Sequence, residues 1–390
     1  MLITALHVKN LYSFDDAYMD FTYPRKIKNS TISDEFVPDR PNFRVKKVCV
    51  ISGPNASGKT SLGRLLCSMQ NFIRSGFSGD ILQRSSLDRN KPLQESIWDI
   101  NKPARISLEY VSPHDFRLNR VNVELKTERG QKTTFGSIPI NVRDSATKAR
   151  ASLDQLFLNK GTKGKGFYTE DVLKDPNATL SFGWFYEFSE NHDVAAGVNF
   201  DRFSLDIFDS VMRTLDPSIE KISPLFVDGT DEIGGYYIGF KNGDSVTSDK
   251  DGNLINKERL SRGTYDAIRI IELLTHLFFS ESSSTYYMDE KLAFTHTEIE
   301  QAIVNLIIEK LRPNSQFFYT THNADILDMN LPVHSYMFSR KEGCFSVIEK
   351  PELVFKKNDR SLLNHVQNDV FLTNPDTFEL DKLLSEPTNA

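Results

Sequence analysis

The chain has 390 residues, 39% of them hydrophobic and 26% charged, with 47 Lys and Arg against 53 Asp and Glu for a formal net charge of −6. That length can bury a sizeable core in one large or two ordinary domains, and the composition excludes a disordered chain and argues against a nucleic-acid binder that is basic over its whole surface. Three scattered cysteines without a CxxC pair, and no apolar run near the roughly 18 residues of a membrane span, lead us to expect a soluble, cytoplasmic protein without membrane attachment.

In chain order, Leu2–Lys9 alternates apolar and polar residues and predicts a strand. Asn10–Asp16 predicts a turn and Ala17–Thr22 its antiparallel partner, before a polar, proline-containing loop over 23–42. Val45–Ile51 is apolar and β-branched and predicts a buried strand, running through a glycine-rich turn into a helix over Thr60–Phe72. Ala104–Val111 and Val121–Lys126 predict an antiparallel sheet beside this lobe. From about 130 the pattern weakens, through GTKGKG at 161–166 and the aromatic run Phe182-Gly183-Trp184-Phe185-Tyr186. We expect three spans: a first lobe over 1–128, an inserted, mostly helical region with a small core of its own over 129–205, and the rest of the lobe over 206–390. Across the boundary into the last span Phe203–Leu215, and within it Thr264–Phe279 and Thr297–Leu311, have helical spacing, the third with a capping box at Thr297 and Glu300. Tyr236–Phe240, Thr285–Met288 and Gln316–Thr321 predict strands.

The strongest motif is Gly53-Pro54-Asn55-Ala56-Ser57-Gly58-Lys59-Thr60, a full GxxxxGK[ST] with a predicted strand before it and a helix after. Such a loop curls backbone N–H groups around a phosphate, and the helix aims its positive end at the same point. Lys59 reaches the β- and γ-phosphates and the Thr60 hydroxyl ligates Mg²⁺, with Ser61 following in the helix. The strand Tyr286-Tyr287-Met288 ends in Asp289-Glu290. Asp289 suits Mg²⁺ and Glu290 suits polarising an attacking water, a strand before a charged turn being the plain alternative. Leu260-Ser261-Arg262-Gly263-Thr264 opens the strong helix, as a plain cap or as a second anion cradle serving another protomer's nucleotide. His322, after Thr320-Thr321, closes a strand and faces the ligand crevice of an open α/β sheet.

In this order, GPNASGKT, LSRGT, YYMDE and TTH resemble the ABC-type ATPase heads of the SMC, RecF and OLD group, and SQFFYTTHNADILD resembles the OLD-like branch. The likeness spans roughly 1–125 and 205–355. It implies an α/β fold: a P-loop ABC-type head with a mixed sheet, an antiparallel β subdomain and the insertion. It implies a Walker A motif at Gly53–Thr60, a signature with Ser261 and Gly263, and a Walker B motif at Asp289. ATP and Mg²⁺ are the implied cofactors, with Glu290, His322 and Lys59 catalysing hydrolysis to ADP and phosphate. The heads of a homodimer or higher oligomer would sandwich the nucleotide.

Departures from the pattern are Arg262 and Thr264 in the signature, a loose D-loop over 291–296, and no clear Q-loop, for which Gln83 and Gln94 are candidates. Tyr12 is a candidate for stacking on adenine, or packs the hairpin. The middle span is too short for SMC arms, and too few residues follow His322 for the Toprim domain of OLD nucleases. The resemblance therefore implies a separate effector protein, a nuclease or toxin, regulated in bacterial anti-phage defence. One rival is a DNA-repair ATPase binding nucleic acid through Arg25, Lys26 and Lys28 or Lys160, Lys163 and Lys165. The other is a nuclease or toxin with its site in the insertion. His114-Asp115 and His192-Asp193 lack a third metal ligand at useful spacing.

Overall fold

The computed structural model describes residues 1–26, 30–77, 79–83, 91–126, 130–158, 167–169, 183–189, 203–249, 253–355, 362–374 and 377–385. Strands β1 (Leu2–Leu11), β2 (Phe14–Asp20), β3 (Phe36–Val37), β4 (Arg40–Arg44) and β5 (Val48–Ser52) lead into helix α1 (Lys59–Arg74). Then come β6 (Ala104–Ser112), β7 (Arg117–Lys126), β8 (Gly130–Pro139), α2 (Ala146–Leu158), β9 (Phe167–Thr169) and β10 (Gly183–Glu187). Next are α3 (Leu205–Leu215), β11 (Ile219–Phe226), β12 (Ile233–Phe240), β13 (Ser245–Ser248), β14 (Leu254–Ile255) and α4 (Arg262–Phe279). The chain continues with β15 (Ser284–Asp289), α5 (Thr297–Lys310), β16 (Gln316–Thr321), β17 (Tyr336–Glu342), β18 (Phe345–Glu349), α6 (Pro351–Val354), α7 (Leu362–Gln367) and α8 (Phe378–Ser385).

The central sheet has the order β10-β15-β16-β5-β17-β18, parallel throughout except for the last pair. Strands β5, β15 and β16 are buried along their whole length, as strands covered on both faces must be. Their side chains alternate between two cores. Val48, Val50, Tyr286, Met288, Phe317 and Tyr319 face the core of α3, α4 and α5. Cys49, Ile51, Tyr287 and Phe318 face α1 and the antiparallel sheet. That second sheet, β2-β1-β6-β7-β8-β9, and a smaller one, β11-β12-β13-β14, are antiparallel.

The described part of 129–205 holds three strands and one helix, and it has no core of its own. Strand β8 pairs with β7 along its length, and β10 forms the edge of the central sheet against β15. Helix α2 places Ala146, Ala149 and Leu153 among Leu2, Val111 and Leu118 of the first lobe. The weak periodicity has a physical cause: GQKTTFGSIP carries few apolar residues, and its pairing with β7 supplies what its pattern lacks.

Two local expectations differ. The capping box of α5 does not form: its N-cap is His296, without a side-chain bond, and Glu300 is buried against β16. Cys49 and Cys67 are buried small residues, but Cys344 is exposed between β17 and β18. Lys28, Lys160, Lys163, Lys165, His192 and Asp193 lie outside the described residues, and none of those described contains a cluster of three or more metal-ligating His, Cys, Asp or Glu. No helix among them is long and apolar enough to cross a membrane.

Candidate nucleotide-binding site

Parallel strands deliver their C-terminal ends to one edge of the sheet, which is where ligands of open α/β sheets bind. Here that edge carries Gly53 after β5, Asp289 and Glu290 at the end of β15, His322 after β16, and Ser189 after β10.

The loop 53–60 is shaped by close packing. A Cβ on Gly53 would lie 2.0 Å from the Ser339 carbonyl oxygen, so no larger residue fits. Ser339 donates through Oγ to the Ser57 carbonyl at 2.7 Å, tying the loop to β17. Asn55 and Ala56 form an exposed tip, with Ala56 left-handed (φ 60). Gly58 (φ 101) precedes α1 and gives it no side-chain cap, so the first-turn N–H groups, through Ser61, are open to an anion. The Lys59 ammonium donates to the carbonyls of Gly53 and Pro54 at 2.7 and 2.9 Å and meets Glu290 Oε1 at 3.1 Å.

Asp289 is fully buried. Its Oδ2 accepts from the hydroxyls of Thr60 (2.7 Å) and Ser189 (3.2 Å), and its Oδ1 from Thr320 (2.6 Å). One carboxylate flanked by hydroxyls fits Mg²⁺, which keeps several waters and takes one or two carboxylates plus phosphate oxygens. Ser189 was not singled out in the sequence; Gly183–Tyr186 of the aromatic run, read there as part of the insertion, lies in β10, and following that strand to its C-terminal end was the available signal. The Q-loop candidates do not reach this place. Gln83 bonds the Ser96 hydroxyl, Gln94 sits in the 3₁₀ turn Leu93–Ser96, and neither bonds Thr60 or Asp289.

Glu290 has a left-handed backbone (φ 52), and its Oε2 lies 3.8 Å from His322 Nδ1. His322 is 49% exposed at the side chain. The turn that presents it is pinned from behind by the buried Glu300, which accepts from the hydroxyls of Tyr319 and Thr321 and, at 2.8 Å, from Asn323 Nδ2. The two unusual tyrosines of β15 reach the flanking helices: Tyr287 donates to the Lys59 carbonyl at 2.8 Å, and the Tyr286 hydroxyl pairs with His276 Nδ1 at 2.9 Å. Burial raises both phenols above their ordinary value, so they stay neutral.

Ser261 caps α4, accepting from the Thr264 N–H at 3.2 Å, and its residue is exposed. A Cβ on Gly263 would come within 2.6 Å of the Phe294 carbonyl oxygen, and the Arg262 guanidinium lies 4.0 Å over the Phe294 ring. The start of α4 and the segment after Glu290 thus form one surface. No hydrogen bond or ion pair joins Ser261 or Gly263 to Gly53–Ser61 among the described residues. Tyr12 occupies the β1–β2 turn (φ 52) and donates its N–H to the Ser96 carbonyl. Phe14, two residues on, reaches Gly58, but Tyr12 itself does not line the cavity in front of the P-loop.

No protein-family model and no curated protein matches the chain in sequence. Among solved structures it is similar to an Smc head bound to the C-terminal winged-helix domain of ScpA, at 13% identity and a TM-score of 0.50, covering 92% of this chain and 100% of that one. A Pyrococcus furiosus Smc head with an extended coiled coil, bound to the C-terminal domain of ScpA, matches at 12% identity and a TM-score of 0.48, covering 94% and 99%. The likeness to the first of these shows a mixed α/β fold of the kind seen in Smc head domains.

Proposed function

We propose that the chain is an ABC-type ATPase that binds MgATP on Gly53–Ser61 and hydrolyses it between two paired heads. The observation that carries this reading is the meeting of Lys59, Thr60, Asp289, Glu290 and His322 at one sheet edge, while Ser261 stands apart and exposed.

Lys59 is held by the loop carbonyls and Glu290. A triphosphate competes for the Lys59 ammonium and frees the Glu290 carboxylate to orient water and take its proton. Thr60, Asp289 and Ser189 would hold Mg²⁺, which when bound would supply neutralising charge to the phosphates. His322 donates to the outermost phosphate and senses its loss. Ser261 and Gly263 of a second copy close over the same phosphate. Turnover then converts closed heads to open ones, because the two nucleotide states differ in how tightly they hold the second copy.

The resemblance of SQFFYTTHNADILD to OLD-like ATPases supports a further reading, in which the chain regulates a separate nuclease or toxin in bacterial anti-phage defence. Tagged Glu290→Gln protein, expressed with its neighbouring genes and purified in MgATP, should carry such an effector at fixed stoichiometry. Recovery of nucleic acid alone would replace that role with a DNA-repair one, and absence of ATP binding by the wild type would sink the ATPase reading itself.

A further inference from the structure

The cavity in front of the P-loop, about 750 Å³, has a wall the proposed reaction does not use. One side is Gly53–Asn55 and His322; the other is Leu372, Thr373 and Asn374, from the turn after α7. Phe371 anchors that turn. Its ring stacks on Phe338 of β17 at 4.2 Å and meets Phe355 edge-on at 5.9 Å. Because β17 pairs with β5, the strand that delivers Gly53, this anchor sets how the turn sits against the P-loop. Helix α7 packs on the 3₁₀ turn Ala324–Asp328, directly after His322. The C-terminal segment therefore touches both the loop that grips phosphate and the turn that carries the switch histidine.

The seating is strained. Asp369 and Leu372 both have left-handed backbones (φ 53 and 52), a region that costs a bulky residue such as leucine most. Thr373 is 7% exposed and its hydroxyl has no hydrogen-bond partner among the described residues. An unpaired buried hydroxyl favours any state in which it meets water. Opposing these is the aromatic anchor, with an Asp369 side chain that accepts from the Asn374 N–H at 3.0 Å. Segments balanced in this way are the ones that open locally.

We propose that Asp369–Asn374 is a latch seated at the mouth of the nucleotide site in the separated head, which must lift before Ser261–Gly263 of a second copy can enter. It rests on the paired-head reading above. Among the described residues Ser261 makes no bond to the P-loop of its own chain, and Leu372, Thr373 and Asn374 line the cavity facing Gly53–Asn55 and His322, the space that Ser261–Gly263 of a second copy would enter. The seated latch lowers the apparent affinity between heads by the fraction of time it is down.

Two substitutions outside the catalytic set push the latch in opposite directions. Phe371→Ala removes the anchor and should raise ATP turnover at limiting protein by about 3- to 10-fold, with ATP-dependent dimers forming at correspondingly lower concentration. Leu372→Gly relieves the left-handed strain at an exposed position, seats the latch more firmly, and should lower turnover by about 3- to 5-fold. A merely structural turn predicts a different pattern: Phe371→Ala loses activity along with thermal stability, and Leu372→Gly leaves turnover unchanged. Either result overturns the latch. If Phe371→Ala does not fold, Leu372→Gly alone decides. Wild-type protein is measured first, since a wild type that neither turns over ATP nor dimerises with it refutes the paired heads rather than the latch.

Discussion

Asp289 and Glu290 are adjacent in sequence, yet they belong to two differently built halves of the site. Asp289 is fully buried, with both oxygens held by hydroxyls from α1, β16 and the end of β10. Glu290 is partly exposed on a left-handed backbone, and among the described residues its carboxylate pairs with Lys59 and, at a longer distance, His322. The inner half is completed by the fold. The outer half is open, and on the reading proposed above a nucleotide and a second copy would complete it.

The contrast is most sharply tested on the outer side. Glu290→Gln should lower turnover by about 10²- to 10⁴-fold, the usual contribution of a positioned general base, while retaining ATP and accumulating closed dimers. Phosphate release and size-exclusion chromatography in ATP measure both effects. Wild-type turnover in this variant would mean that Glu290 is not the base. Ser261→Arg should lower turnover by about 10²- to 10³-fold, as loss of one preorganised donor does, with ATP binding by the single head unchanged. Full activity there would place the whole site within one chain and erase the distinction between the halves.

How much of this could be read in advance also divides along structural lines. The P-loop, the Asp-Glu pair and His322 were legible because each sits on a short segment whose chemistry and strand-end position are local properties. Strands β5, β15 and β16 were legible because burial on both faces requires continuous apolar runs. Ser189 and the turn Asp369–Asn374 were not, since a serine after an aromatic run and a Phe-Leu-Thr-Asn turn have no chemistry until the sheet order brings them to Asp289 and Gly53. Glu300 misled for the same reason. Its spacing from Thr297 fits a capping box, but Tyr319, Thr321 and Asn323 of the adjoining strand and turn claim its carboxylate.

Lys59 joins the two halves. It follows directly from the P-loop yet pairs with Glu290. Lys59→Ala should weaken ATP binding by about 10- to 150-fold, the equivalent of one hydrogen bond to a charged group. Equilibrium binding of a fluorescent ATP analogue reads this directly. Unchanged affinity would mean that the ammonium stays with the Gly53 and Pro54 carbonyls and never turns to phosphate.

The smallest effect is expected at Ser189, on the inner half. In Ser189→Ala the Asp289 carboxylate keeps Thr60 and Thr320, so its position holds. The lost contact is the longest of the three, 3.2 Å against 2.7 and 2.6 Å. A single net hydrogen bond of about 0.5–1.5 kcal/mol corresponds to about a 2- to 13-fold higher Mg²⁺ concentration at half-maximal turnover. ATP binding in EDTA should not change, because the hydroxyl acts on the cation and not on the phosphates. A variant with normal Mg²⁺ dependence but a lower melting temperature would assign Ser189 to strand packing. The cation site would then be built by the flanking lobes alone, and the 129–205 segment would give the site nothing beyond its edge strand.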